Sequence, residues 1–258
     1  AMLIAADLHF GANRLEDIDA FMAAAVDPSE NPDRIVILAG DFTMEYSEAE
    51  YAAATVLVSD LLTAGCIVVA TPGNHDFGRW TGERLYVRDD ARQRFRTLLG
   101  PIHEQKAVLA FKDCDSVTRV GGDVFVSLRS THRGTKLRLG LAGHARIKGD
   151  QLDWANAVLG SMDLDGCRLH LVTHRSLWSE ADDRHGQMHK AERLERELLL
   201  RFRFASFIHG HNHRFTAAVT TTPAVGHKTV RVSAPTLSLR NRKESRGWVK
   251  WSGRPEDT

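Results

Sequence analysis

Five short polar clusters carry the residue types of metal chemistry, and each directly follows an apolar run. They are Asp7-Leu8-His9, Gly40-Asp41, Gly73-Asn74-His75-Asp76, His174, and Gly210-His211-Asn212-His213. Asp, His and Asn offer hard and borderline oxygen and nitrogen donors, which suit manganese, iron or zinc. Asp7 and His9 are two apart, so on an extended strand end both side chains are expected on the same side, and His211 and His213 share that spacing. Each pair could then reach a different ion of a pair about 3.5–4 Å apart, with a carboxylate between them, and Asp41 is placed for that bridge. Glycine before Asp41, Asn74 and His211 is read as letting the backbone turn where a ligand approaches closely. Singly these fragments are weak, since a lone histidine after a strand is more often a satisfied core or surface residue. All five, each at the end of a strand, leave that bland reading improbable.

The elements that must position them form a β-α-β-α-β rhythm. Leu3 to Ala6, Ile35 to Ala39 and Ile67 to Ala70 read as buried strands. Between them, Leu15, Ile18, Phe21, Met22 and Ala25 recur at helical spacing up to a stop at Asp27-Pro28. Ser47 and Glu50 form a capping box for a second helix, which Gly65 ends. Such a rhythm implies a parallel sheet with helical crossovers, and the carboxyl ends of its strands share one edge, where ligands bind. Further on, a helix is expected from Val87 to Leu99, ending at Gly100-Pro101, then a hairpin turning at Gly121-Gly122-Asp123. A loop follows over Arg133 to Arg146, and Gln151, Trp154, Ala155, Val158 and Leu159 mark another helix. Leu169 to Val172 is a strand, Ala191 to Arg201 a helix, Ala205 to Ile208 a strand, and Phe215 to Trp251 alternates like antiparallel strands.

Composition narrows the classes. The 258 residues are 43% hydrophobic and 26% charged, enough apolar material for a sizeable core. Net charge is +1, which gives no bulk electrostatic case for nucleic acid or an anionic membrane. Three scattered cysteines, Cys66, Cys114 and Cys167, form no CxxC pair and suggest neither a disulfide framework nor a thiolate zinc site. No apolar run approaches a bilayer span and no secretory signal pattern is visible, so a cytoplasmic protein is expected, with no membrane partner.

The set of clusters resembles the calcineurin-like metallophosphoesterase family, whose five motifs they match in order from Asp7 to His213. The resemblance implies a four-layer α/β/β/α sandwich, with central, mostly parallel sheets flanked by helices. It implies one domain over residues 1–258, with 216–258 as C-terminal antiparallel strands of that domain. Two divalent metal ions, manganese, iron or zinc, would be held by Asp7, His9, Asp41 and His213 on one side and by Asp41, Asn74, His174 and His211 on the other. His75 would serve as general acid or phosphate-binding residue, with Asp76 orienting it. The implied reaction is hydrolysis of a phosphodiester by a hydroxide between the ions. The substrate would be a small phosphate ester, a nucleotide among the candidates.

Residues 40–76, together with Gln151-Leu152-Asp153-Trp154, are similar to the class III cyclic nucleotide phosphodiesterase branch. That branch carries His-His-Pro where this chain has His174-Arg175-Ser176, and the polar loop 175–190, with His185 and His189, departs from it too. A metal-dependent nuclease or a phosphomonoesterase is the alternative; for the nuclease, Arg84, Arg88, Arg92, Arg94, Arg96, Arg240, Arg242, Lys243 and Arg246 could contact phosphates. Asp89, Asp90 and Glu244 interrupt those runs, which favours solvated faces. A non-catalytic binding module is disfavoured by the complete ligand set. His209 is read as either a support of the site or a structural residue, and Trp178, Trp248 and Trp251 as packing residues more than a base-stacking wall.

Overall fold

The computed structural model describes residues 1–81, 84–87, 90–131, 145–177, 188, 191–222, 227–237 and 246–252. Its first third follows the expected rhythm, with β1 (Met2–Ala5), α1 (Leu15–Val26), β2 (Ile35–Ala39), α2 (Glu48–Thr63) and β3 (Ile67–Thr71). The capping box forms as read, with Ser47 Oγ accepting from Glu50 N–H and the Glu50 carboxylate accepting from Ser47 N–H. A short antiparallel pair follows, β4 (Gly78–Thr81) and β5 (Arg84–Val87), then α3 (Ala91–His103). Val87 therefore closes a strand instead of opening a helix. Gly100-Pro101 does not end α3 either, because Pro101 sits in its last turn while Leu98, Leu99 and Ile102 bury their side chains in the core. Burying each such residue is worth roughly 1.5–3 kcal/mol, which offsets the hydrogen bond that proline forgoes.

The rest comprises β6 (Val108–Lys112), β7 (Asp115–Val120), β8 (Asp123–Ser127), α4 (Gly149–Gly160), β9 (Arg168–Val172), α5 (Ala191–Leu194), α6 (Leu200–Phe202), β10 (Ser206–His209), β11 (Thr216–Thr222), β12 (His227–Ser233) and β13 (Val249–Trp251). A wide π-type turn over Glu195–Leu199 joins α5 to α6, so the expected helix is one rod with a local bulge. Most of the loop 133–146 lies outside the described residues.

Two sheets are stacked. The first has the order β13-β1-β2-β3, with β1, β2 and β3 parallel. The second runs β11-β12-β10-β9-β8-β7-β6, with β12, β10, β9 and β8 parallel. Alternation along the strands builds the layers. Leu3, Val36, Leu38 and Val68 face α1, α2 and α3, while Met2, Ile4, Ile35, Ile37 and Val69 meet Phe125, Val172, Ile208 and Val232 between the sheets. Val124, Val126, Leu169, Leu171 and Phe207 face the second helical layer. Strands buried on both faces explain why the sequence shows them as continuous apolar runs. The result is the α/β/β/α sandwich. The C-terminal strands are antiparallel as read where β11 pairs with β12 and where β13 pairs with β1, Trp251 opposite Met2, while β12 also pairs in parallel with β10.

Candidate metal centre

The five clusters follow β1, β2, β3, β9 and β10, so three come from one sheet and two from the other. They meet because the two sheets point the carboxyl ends of these strands to the same rim. The loops are laced by short bonds: Asp7 N–H to the Gly40 carbonyl (2.9 Å), His9 N–H to the Asp41 carbonyl (3.0 Å), Gly210 N–H to the His174 carbonyl (3.1 Å), and His211 N–H to Asp7 Oδ2 (2.9 Å). Glycine makes this approach possible. A Cβ on Gly73 would collide with Asp41 Oδ1, and one on Gly40, at φ +91°, would lie 2.5 Å from His174 Nδ1.

The donor pairs converge for a different reason from the extended geometry expected. β1 stops at Ala5, and Asp7 and His9 both adopt left-handed backbone (φ 53° and 48°), as do Asp41 (53°), His211 (72°) and His213 (56°). Such conformations are rare for residues other than glycine and cost of order 1–3 kcal/mol each, so five at one rim mark a strained, held arrangement.

Three groups of donor atoms result, each within 4.8 Å: Asp7 with His9 and His213; His9 with Asp41 and His75; Asp41 with His174 and His211. In the first, His213 Nε2 lies 3.2 Å from Asp7 Oδ1 and 3.3 Å from His9 Nε2, and His9 Nε2 lies 3.8 Å from Asp7 Oδ1. Donors around one ion at about 2.0–2.2 Å stand roughly 3–3.5 Å apart, so this triangle is close to a coordination face. Two imidazole nitrogens pointed at each other, with Asp7 Oδ1 buried and lacking a hydrogen bond, suit a cation between them. On the other side, His174 Nε2 lies 3.2 Å from Asp41 Oδ2 and 3.2 Å from Asn74 Oδ1. Asp41 groups with His174 and His211 and also with His9 and His75, and His9 in turn belongs to the first group, so the Asp41 carboxylate lies between the two clusters.

The electrostatics divide the donors into two kinds. Burial would raise the Asp41 carboxyl, but the imidazoles of His174, His75 and His9 hold it well below the usual range. Burial would likewise raise Asp7, and His213 beside it brings it down. Burial pushes His9 down to about 4, against the pull of Asp41 and Asp7, and sends His211 well below its ordinary value, helped by Arg175 and His174. His9 and His211 are thus neutral lone-pair donors at pH 7. Burial opposes the proton on His174, yet Asp41 raises it to about 9, and Asp7 raises His213 in the same way.

The contacts around His75 and Asp76 differ from the orienting pair expected. His75 Nδ1 lies 2.7 Å from the Met44 carbonyl and donates to it, so backbone orients this ring. The Asp76 carboxylate accepts from Gly73 N–H (2.8 Å), Thr43 N–H (2.9 Å) and Thr43 Oγ1 (3.2 Å). Asp76 therefore staples the third cluster to the second and does not orient the imidazole. Burial and the charge of Asp41 raise it to about 7. Gln151 is structural as well. It caps α4 by accepting from Lys148 N–H (3.0 Å), and it donates to both oxygens of Asp115 (2.9 Å each) and to the Arg129 carbonyl (3.1 Å). Its presence therefore speaks to how α4 docks and says nothing of substrate.

Sequence reasoning missed Met44 and Thr236, whose hydroxyl donates to the Asp7 carbonyl (2.8 Å). The first acts through backbone, which leaves no side-chain signal. Arg175 stands out in the sequence only as a departure from a motif, yet it is buried beside Asn74. Of the basic residues proposed for nucleic acid, Arg92 and Arg96 pair with Asp113, Arg94 with Asp90, and Arg246 with Asp17. These pairs support the solvated-face reading. Arg88, Arg240, Arg242, Lys243, Trp178, His185 and His189 lie outside the described residues. Trp248 packs on Phe21 and Trp251 lies between the sheets, while His209 bonds the Gly210 carbonyl (3.0 Å) under the fifth cluster. Among the described residues no helix is long and apolar enough to cross a membrane.

No curated protein matches this sequence. Among solved structures, the chain is similar to a dimetal phosphatase from Danio rerio, at 16% identity and TM-score 0.61, covering 92% of this chain and 88% of that one. It is also similar to a purple acid phosphatase from yellow lupin (Lupinus luteus), at 13% identity and TM-score 0.60, covering 90% and 43%. TT1561 of Thermus thermophilus aligns at 12% identity and TM-score 0.55 over 98% of both chains. At such identities these likenesses speak to the fold. The calcineurin-like phosphoesterase family matches the sequence itself over residues 2–215, which takes in all five clusters, and the chain belongs to that family.

Proposed function

We propose that this chain hydrolyses phosphate esters with two divalent ions, one held by Asp7, His9, Asp41 and His213 and the other by Asp41, Asn74, His174 and His211. The observation that supports this reading is Asp41, whose carboxylate groups with His9 and His75 on one hand and with His174 and His211 on the other, His9 being shared with the Asp7 and His213 group. When bound, the ions would neutralise charge on the phosphoryl oxygens and lower the pKa of an attacking water. Asp41 fixes the spacing of the two sites. With its Nδ1–H given to Met44, His75 presents Nε2 as the ring atom that, in the doubly protonated imidazolium, would pass its proton to the leaving oxygen and leave the neutral Nδ1–H tautomer. We take residues 1–258 as one functional unit, since β13 completes the sheet that carries the first three clusters.

For the substrate class we propose a phosphodiester, with cyclic nucleotides as the candidates that the similarity of residues 40–76 favours. Chromogenic mono- and diesters, cyclic nucleotides and oligonucleotides, each assayed with manganese, iron and zinc, test both levels. Metal-dependent turnover of any ester supports the hydrolase. Turnover of monoesters alone refutes the diester reading, and no turnover with any ester or metal refutes the hydrolase.

A further inference from the structure

Arg175 is a cation where a centre built for cations has no need of one. It follows His174 directly, is only 3% exposed, and is fixed at its backbone on both sides. Its N–H donates to Ser130 Oγ (3.1 Å), and its carbonyl accepts from Thr173 Oγ1 (2.7 Å). Guanidinium Nη2 donates to Asn74 Oδ1 (3.2 Å), the same oxygen that lies 3.2 Å from His174 Nε2. A carbonyl oxygen has two lone pairs, so this bond leaves one for a metal ion. The guanidinium thus sits one hydrogen bond away from the second donor group.

A buried positive charge beside a dinuclear site repels the ions that the site must hold. The arrangement becomes favourable when an anion lies between guanidinium and metals. A phosphoryl group fits: its oxygens match the planar fork of arginine, and charge-assisted bonds of this kind are the stronger ones. We infer that Arg175 is a substrate-binding residue that holds a non-bridging phosphoryl oxygen on the Asn74 side of the centre. This rests on the reading of the site as a dinuclear phosphoesterase. The oxygen is common to ester substrate and phosphate product, and Arg175 binds both.

The rival role is positional, with Arg175 only fixing the Asn74 amide so that oxygen and not nitrogen faces the ion. The two roles move different observables. Manganese and then inorganic phosphate are titrated calorimetrically into wild type, Arg175→Met and Arg175→Lys, and KM and kcat are measured with a chromogenic monoester and a chromogenic diester. We expect two manganese ions per chain in all three proteins, with unchanged or tighter affinity in Arg175→Met. Phosphate binding should weaken about tenfold to a hundredfold in Arg175→Met, with KM rising in step and kcat falling less, while Arg175→Lys recovers part of the loss. Phosphate affinity equal to wild type in Arg175→Met, or weakened only because manganese is lost, overturns the inference and leaves the hydrolase reading standing. A wild type that binds none of manganese, iron and zinc overturns both.

Discussion

Two constellations of histidine, aspartate and a neutral polar partner stand out among the described residues of the sandwich, and of these two the one at the rim has the marks of a reactive site. At the rim, five donor residues hold strained left-handed backbone, and Asp7 Oδ1 and His9 Nδ1 are buried without hydrogen bonds. Elsewhere on the second sheet, Asp123, His170 and Ser206 form a line that imitates a hydrolase triad. His170 Nε2 donates to Asp123 Oδ1 (2.9 Å) and its Nδ1 accepts from Ser206 Oγ (2.8 Å). Its ring stacks on Phe125 and meets the edge of Trp251, and neither His170 nor Ser206 has any exposed surface. Every valence of that imidazole is satisfied and no substrate can reach the serine. Residue types do not distinguish the two places. Unsatisfied valence held at a backbone cost does.

The comparison breaks most sharply at Asp41. Asp41→Ala should remove a ligand from both sites, reduce bound metal, and lower turnover about a thousandfold or more, since several kcal/mol of charge stabilisation are lost with the ions. His75→Ala should retain two ions and lose about a hundredfold or more in rate. Metal analysis beside kinetics separates the cases. Wild-type turnover in Asp41→Ala would place the chemistry elsewhere.

Much of this rim is legible in the sequence because strands buried on both faces leave uninterrupted apolar runs, so the polar residue that ends each run stands out. The apolar pattern places β2 at its observed bounds and recovers the Ser47–Glu50 capping box. The left-handed turns at Asp7, His9, His211 and His213 are not legible, because they are imposed by loops interlocking across two sheets and not by local preference. Nor is the division into two sheets, since crossover rhythm reports strand direction and not which sheet a strand joins. The family resemblance points to Asp76 as the group that orients His75, whereas the ring bonds the Met44 carbonyl, a backbone group that leaves no mark in the sequence. Pro101 misleads because a rule about local hydrogen bonding loses to the burial of Leu98 and Ile102.

A smaller effect sharpens the claim that the rim is held by close approach. In Gly73→Ala the new Cβ meets Asp41 Oδ1 and the Asp41 backbone nitrogen, so the carboxylate must shift. A displacement near 1 Å at a reacting centre costs about a hundredfold, and loss of that order is expected in kcat/KM together with weaker metal binding. Gly100→Ala, where a Cβ meets nothing within 4 Å, is the matched control and should leave both unchanged. Equal behaviour of the two variants would remove close packing as the reason for the motif glycine.

The weakest expected effect on turnover, and the one that tests the other half of the comparison, is at His170. Burial lowers its pKa from the ordinary 6.5, against the pull of Asp123. A histidine with a depressed folded pKa binds fewer protons folded than unfolded, so its contribution to stability is complete above about 6.5 and is lost as pH falls towards the folded value. Asp123 is held below its usual range by His170 despite burial, so its contribution is lost only at still lower pH, below about 3.8. His170→Gln keeps a donor and an acceptor but cannot titrate. Urea denaturation in the presence of chelator should therefore show a shallower decline between about pH 6.5 and 5 for His170→Gln than for wild type, with kcat of the metal-loaded protein unchanged at about pH 7. His170→Ala removes a buried hydrogen-bond partner of Asp123 and Ser206 while Arg168 still pairs with Asp123, and should cost about 1–3 kcal/mol at neutral pH. If His170→Gln instead lost turnover while keeping its stability and its metal, the buried line would be part of the chemistry, and satisfied hydrogen bonding would no longer separate an inert constellation from a reactive one.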